Sequence, residues 1–337
     1  MEGILNAAAL FGNFVVVPAV AYGAQLALGA LGVTLVYGIL RFSNFAHGET
    51  MSFGAMFAIL FMWAFQAAGI SIAPLPTVLL AIPFAILVTA AFLLATDGVV
   101  YKFYRRQKAA PVILLIASTG VMFVMNGLVR FIIGPDDQRV ADGARFVMSA
   151  REFKAWTGLR EGLAIKSSQV ISIAVAVACV AALFWFLNRT RAGKSMRAYS
   201  DNEDLALLSG INPERVVMIT WILTAALATI AGVLYGLDKS YKPFTYLQLL
   251  LPIFASAIVG GLGSPIGAIV GGFVISFSEI MLTYAYKRFL GHLLPDAWAP
   301  DGLTQLLATD YKFAVSFMIL VLVLLLRPTG IFAGRSL

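Results

Sequence analysis

One cysteine and two histidines are all that 337 residues supply of the side chains most used for disulfides and metal sites. Cys179 has no partner, so an intramolecular disulfide and a cysteine-built metal cage are both excluded, and it reads as a small packing residue. Charge is scarce too: Asp, Glu, Lys and Arg make up 12% of the chain against 60% hydrophobic residues, far from the balance of a water-soluble domain. No GxxxxGK[ST] loop occurs, which removes the usual backbone cradle for ATP phosphates, and no HExxH or GxSxG motif marks a hydrolase. The opening MEGILNAAALFGNF has no basic residue ahead of its apolar part and no small-residue cleavage site, so it is expected to stay in the mature protein.

What the chain does have is uncharged length. Residues 14–40, 51–95, 109–129, 167–188 and 216–237 contain no Asp, Glu, Lys or Arg. A hydrocarbon layer about 30 Å thick takes roughly 20 helical residues, so these runs cross it, and the 51–95 run crosses twice. Weaker segments follow at 248–259, 266–282 and 313–326, the first too short to cross alone and a candidate for a re-entrant piece. The expected fold is therefore all-α: a polytopic transmembrane helical bundle of eight or nine membrane segments, some interrupted or re-entrant, forming one membrane domain over 1–337. The formal charge of +7 fits lipid headgroups between spans better than nucleic acid. YKFYRRQK at 101–108 holds four basic residues and no acid, whereas the 134–166 loop dilutes six basic residues with five acids. That density favours the N-terminus outside and the C-terminus in the cytoplasm.

The loop 189–215, RTRAGKSMRAYSDNEDLALLSGINPER, is the most legible polar stretch. Ser200 with Glu203 spells a capping box, Asp201, Glu203 and Asp204 suit a helix's first turn, Gly210 supplies a left-handed stop, and Asn212–Pro213 starts the next helix. The spacing predicts a detached helix of about ten residues whose stripe of Leu205, Ala206 and Leu208 has nothing in its own loop to cover it. Two readings stay open: a connector lying on the membrane surface, or a docking helix for a soluble partner's groove.

DLALLSG, with Asp204, Ala206 and Gly210, resembles the cytoplasmic loop of ATP-binding-cassette importer permeases. In the setting GKSMRAYSDNEDLALLSGIN, and with TLVYGILRFSNFAHGE, VGGLGSPIGAIVGG and LLLRPTGIF in order along the chain, the sequence resembles the permease subunits of branched-chain amino acid importers. Asp204 and Leu205 stand where the general importer consensus has Glu and Ala. The resemblance implies a permease without cofactor or catalytic residues, a bacterial inner-membrane location, partner ATPase subunits, a soluble substrate-binding protein and a second, similar permease. It further implies coupling contacts at Arg197, Asp204, Leu205, Ala206, Leu208, Gly210 and Ile211. Urea or short amides carried by the same family are an alternative, and an ion-coupled secondary transporter is an alternative of another class.

Two interruptions attract attention because non-helical backbone at membrane depth must be buried in protein or line a wet cavity. In RFSNFAHGE, Ser43 or Asn44 is expected to cap a helix beginning near Phe45, with His47 and Glu49 in its first turn. The HxE pair lacks further metal ligands, since the remaining histidine is His292. Asn44, His47 and Glu49 either satisfy one another and the broken backbone or meet the solute. In GGLGSPIG, Gly260, Gly261, Gly263 and Gly267, with Gly271 and Gly272 beyond, serve close helix packing, pore lining, or both. Glu279, the one charge in 248–282, is a functional candidate or is paired within the bundle. The residues expected along the path are Tyr37, Asn44, His47, Glu49, Gly260, Gly261, Gly263, Ser264 and Glu279.

Overall fold

The computed structural model describes residues 2–140, 142–293, 302, 304–327 and 329–332. Helices follow one another in the order α1 Glu2–Leu40, α2 His47–Ala67, α3 Val78–Arg106, α4 Pro111–Ile133, α5 Ala150–Thr157, α6 Ser167–Arg189, α7 Arg191–Asp201, α8 Glu203–Leu208, α9 Pro213–Lys239, α10 Pro243–Gly260, α11 Pro265–Thr283, α12 Lys287–Leu293 and α13 Thr309–Leu326. Among the described residues nine of these are long and apolar enough to cross a bilayer, all but α5, α7, α8 and α12. The protein is a multi-pass, all-α membrane bundle. Among the described residues the sheet content is one short antiparallel pair, β1 Phe146–Met148 with β2 Ile165–Lys166.

Proline and the Asn/Ser/Thr caps set several of the helix starts. Pro111, Pro213, Pro243 and Pro265 each stand at the first helical positions, where a missing N–H costs nothing. The seventh crossing helix is longer than the sequence suggests. Pro243 opens it, so α10 spans 18 residues; Thr245 and Tyr246 lie inside the helix, ahead of the 248–259 run, and their polarity disguised its first turns.

α1 is the axis of the bundle. Every residue from Ala21 to Val36 is buried, with α11, α9, α6 and α10 packed around it. Lipid offers no hydrophobic drive for helices to associate, so close approach through small residues has to supply it. A Cβ on Gly23 would reach 2.6 Å from the Phe273 ring, and one on Gly272 would lie 2.8 Å from the Ala27 nitrogen. The outer helices α4, α6 and α13 instead show lipid-type faces, with Phe131, Val177 and Leu326 exposed.

The 134–166 loop closes one end. Gln138 and Tyr241 exchange backbone hydrogen bonds of 2.9 Å each. Asp142 accepts from the Thr77 N–H at 2.8 Å and from Gln66 Nε2 at 2.8 Å, joining the end of α2 to the approach of α3. Partial burial alone would raise the Asp142 pKa, but these hydrogen bonds outweigh it and hold the carboxyl below its ordinary value.

Candidate functional site

Residues 41–46 start at the exposed Arg41 and carry the break inward, into the bundle. The His47 ring packs against Gly32, eight residues before α1 ends, so α2 starts about 12 Å inside that end at 1.5 Å per residue. Backbone at such depth needs partners, and they come from side chains. Ser118 Oγ of α4 takes the Phe45 N–H at 3.0 Å, and Asn44 Oδ1 takes the Ala46 N–H at 3.1 Å. Neither Ser43 nor Asn44 caps α2 in the expected way. The helix begins at His47 after Ala46, and Asn44 bonds two residues on, an Asx turn that competes with helix.

The break is also wedged by aromatic rings. Phe42 lies 5.3 Å from Tyr101, which stacks on Trp221 at 5.3 Å and 15°. Trp221 Nε1 donates to Asp97 at 2.8 Å, and Arg105 grips the same carboxylate through two N–H groups at 2.8 and 3.1 Å. The planar fork makes this the strong form of a charged hydrogen bond.

In the first turn of α2, His47 is fully buried, and among the described residues neither of its ring nitrogens has a partner; Glu49 takes a 2.8 Å bond from Asn126 on Oε1, while its Oε2 has none among them. The His47 N–H donates to the Asn44 carbonyl at 3.2 Å, but among the described residues the side chains of Asn44, His47 and Glu49 do not hydrogen-bond to one another. Tyr37 contributes its carbonyl, which accepts the Arg41 N–H at 3.0 Å, while its half-buried ring stands one turn above the break.

The second interruption is built from missing side chains. A Cβ on Gly260 would sit 2.0 Å from the Gly267 oxygen, and one on Gly271 would sit 2.0 Å from the Ser256 oxygen, so α10 and α11 touch backbone to backbone. Gly261, at φ 109, would meet the Phe332 oxygen at 2.0 Å. The chain after α13 seals this turn, Ile331 donating to Val259 at 2.8 Å and Phe332 to Gly260 at 3.1 Å. Two motifs that the sequence presents separately, the glycine turn and RPTGIF, are thus one contact. Gly263, at φ 88, faces open space, and Ser264 caps α11 by accepting from Gly267 at 3.1 Å.

Glu279 is buried where α11 meets α13. One oxygen accepts from Ser316 and the other has no hydrogen bond among the described residues; Lys312, 5.0 Å from the centroid of the Tyr22 ring, and Tyr22 itself both act on the carboxylate.

Between α6 and α9 the chain forms two helices where the sequence suggested one. Ser200 is not a cap. It lies near the end of α7, and its hydroxyl donates to Gly38. Asn202 is the cap of α8, accepting from Leu205 at 3.0 Å; three candidate cap residues stand in a row, and Ser200 is drawn off by α1. Glu203 instead accepts from Tyr199 at 2.6 Å, and burial first, then this bond, raises the phenol's pKa. At the far end Gly210, φ 80, donates to Leu207 at 3.0 Å and Ile211 to Ala206 at 3.1 Å, a Schellman stop. Ala206 turns inward, while Leu205, Leu207 and Leu208 are exposed and Asp204 lies beside them. Arg197 is half-buried, its Nε without a partner among the described residues.

Sequence reading missed Asp97, Tyr101, Trp221, Asn126 and Ser118. Asp97 and Asn126 carried a usable signal, being polar residues at the end of or inside apolar runs; the aromatic pair carried none.

Residues 16–324 match the protein family described as branched-chain amino acid transport system / permease component. The high-affinity branched-chain amino acid transport system permease protein LivH of Salmonella typhimurium is 32% identical over 318 residues, covering 93% of this chain and 92% of that one. The corresponding permease protein BraD of Pseudomonas aeruginosa is 29% identical, covering 92% of each chain. A probable branched-chain amino acid transport permease protein of Methanocaldococcus jannaschii is 29% identical, covering 93% and 90%.

Proposed function

The chain belongs to the permease-component family of branched-chain amino acid transport systems, and from that membership we propose that it is the membrane-spanning subunit of an ATP-binding-cassette importer for branched-chain or other apolar amino acids. In this reading 1–337 is one permease domain. It makes and breaks no bonds; separate ATPase subunits hydrolyse ATP, a soluble binding protein delivers the solute, and a second, similar permease chain completes the path in the bacterial inner membrane. The N-terminus lies outside and the C-terminus in the cytoplasm, as the basic density of YKFYRRQK favours.

The observation that carries this reading is α8. A short helix tied off by Asn202 and by Gly210–Ile211 presents Leu205, Leu207 and Leu208 outward from a polar segment. Exposed leucines on a helix fit a hydrophobic groove on a partner. Arg197, Asp204 and Ile211 border that contact. The solute's route is proposed to pass the broken backbone, with Tyr37, Asn44, His47, Glu49, Ser264 and Glu279 as its polar groups and Gly260, Gly261 and Gly263 keeping its wall thin.

The test is purification of the tagged chain from cells expressing its whole operon. The unaltered chain is expected to bring ATPase subunits with it. Leu208→Asp puts a charge into the groove and should reduce that recovery at least tenfold with the permease still folded. Equal recovery from both chains would remove α8 from the docking site.

A further inference from the structure

α1 and α7 finish each other. A helix leaves its last carbonyls without intrahelical donors. Ser200, next to last in α7, gives its carbonyl to the Arg41 guanidinium, and its hydroxyl donates at 3.1 Å to Gly38 in the last turn of α1. Two orphan carbonyls on two helices are satisfied by one pair of residues. Arg41 also brings a cation to the α7 C-terminus, where the macrodipole favours it. Among the described residues, these are the side-chain hydrogen bonds that leave 191–211 for another helix.

The backbone at Arg41 sharpens the point. It caps α1 at φ 56 and ψ 29, a left-handed conformation. Glycine is the usual residue there, because a Cβ is strained in that region. Arginine in a glycine position holds something glycine lacks, a side chain that reaches Ser200. Immediately after it come Phe42, on the Tyr101–Trp221 stack, and Asn44, which turns the chain toward His47. Arg41 is the residue at which the α7–α8 segment meets the break that starts α2.

We propose that the Arg41–Ser200 clamp is the joint through which movement of α7 and α8 reaches the polar break, with Arg41 a positioning residue for transport that does not touch solute. This rests on the ATPase docking assigned to α8. When the ATPases close and shift α8, α7 moves with it through Asn202. The clamp then draws on the end of α1 and on residues 42–46, changing how the first turn of α2, with His47 and Glu49, sits in the bundle.

The experiment uses the whole transporter, with its ATPases and binding protein, in proteoliposomes. It compares Arg41→Gly, Arg41→Lys and Ser200→Ala with the unaltered complex. Arg41→Gly suits the left-handed backbone, so melting temperature and ATPase recovery should hold. Solute moved per ATP hydrolysed should fall at least tenfold. Arg41→Lys, which keeps one donor and loses the planar fork, should recover part of that loss. Ser200→Ala removes the bond to Gly38 and should fall between. Unchanged solute per ATP in Arg41→Gly with ATPases bound would overturn the proposal. So would loss of ATPase binding in that variant, which would make Arg41 part of the dock. Should Arg41→Gly not fold, unchanged coupling in Ser200→Ala overturns it instead. Failure of the unaltered chain to retain ATPases would strike the docking assignment and is read separately.

Discussion

The break at 41–46 and the turn at 260–264 solve the same problem in opposite ways. Both interrupt helices within an apolar bundle, where unpaired N–H and C=O groups are expensive. The first recruits side chains: Asn44 and Ser118 accept backbone N–H groups, and the Tyr101–Trp221 stack braces it, with Trp221 and Arg105 both hydrogen-bonded to Asp97. The second removes side chains, so that Gly260, Gly267 and Gly271 let two helices and the C-terminal segment meet at backbone distance. A segment held by side-chain bonds can exchange partners and move; one held by backbone contact has nowhere to go. The difference makes the first break the adjustable element of the bundle and the second its fixed wall.

The strongest way to break this comparison is to put bulk into the wall. Gly271→Val sets a branched side chain where even a Cβ would lie 2.0 Å from the Ser256 oxygen. Overpacking typically costs about 1–3 kcal/mol, and a backbone neighbour that cannot rotate away puts this change at the top of that range. Detergent-solubilised variant should melt well below the unaltered protein or fail to accumulate. A melting point within error of the parent would show that α10 and α11 can part, and the fixed-wall reading would go.

At the break the expected loss is smaller and its character different. Trp221→Phe keeps a ring on Tyr101 but deletes the 2.8 Å bond to Asp97. Hydrogen bonds to charged groups are worth about 1.5–3 kcal/mol, and Arg105 still holds the carboxylate, so about 1.5 kcal/mol is expected. Uptake should suffer more than stability, because the brace that positions Phe42 loosens while the fold stands. A variant that loses stability and uptake in step would assign Trp221 to ordinary core packing.

How much of this was legible follows the same division. Charge-free length revealed the crossing helices, and Gly210, Asn212 and Pro213 announced their turns through chemistry that acts within a few residues. Glu49 was placed in a first turn by the same local logic. The cap at Asn202 was misjudged because Ser200, an equally good local candidate, is claimed by Gly38, 162 positions away in the sequence. Tyr101 and Trp221 were invisible because an aromatic residue inside an apolar run carries no mark of its partner. The sealing of Gly261 by Phe332 was hidden for the same reason: backbone-to-backbone contact between distant segments leaves only small residues behind, and small residues have many uses. Local chemistry could be read; long-range satisfaction of polar groups could not.

The smallest expected effect sharpens the comparison by moving the device of the first break to the water's edge. Asp142, like Asn44, is a side-chain acceptor for a backbone N–H, here that of Thr77, with Gln66 as a second donor. Its pKa in the folded chain lies below the ordinary 3.8. The folded state therefore binds its proton less readily than the unfolded state. The stabilisation is complete above about pH 4 and disappears as pH falls through the lower, folded value. Because the carboxylate is largely exposed, solvent screening leaves on the order of a few tenths of a kcal/mol. Asp142→Asn should melt slightly below the parent at pH 5, and the two curves should converge toward pH 3. A gap of equal size at both pH values would mean that shape, and not charge, makes Asp142 a good acceptor. The reverse exchange at the buried break, Asn44→Asp, would then be expected to be mild as well, whereas a charge-based device predicts that burial makes it severe.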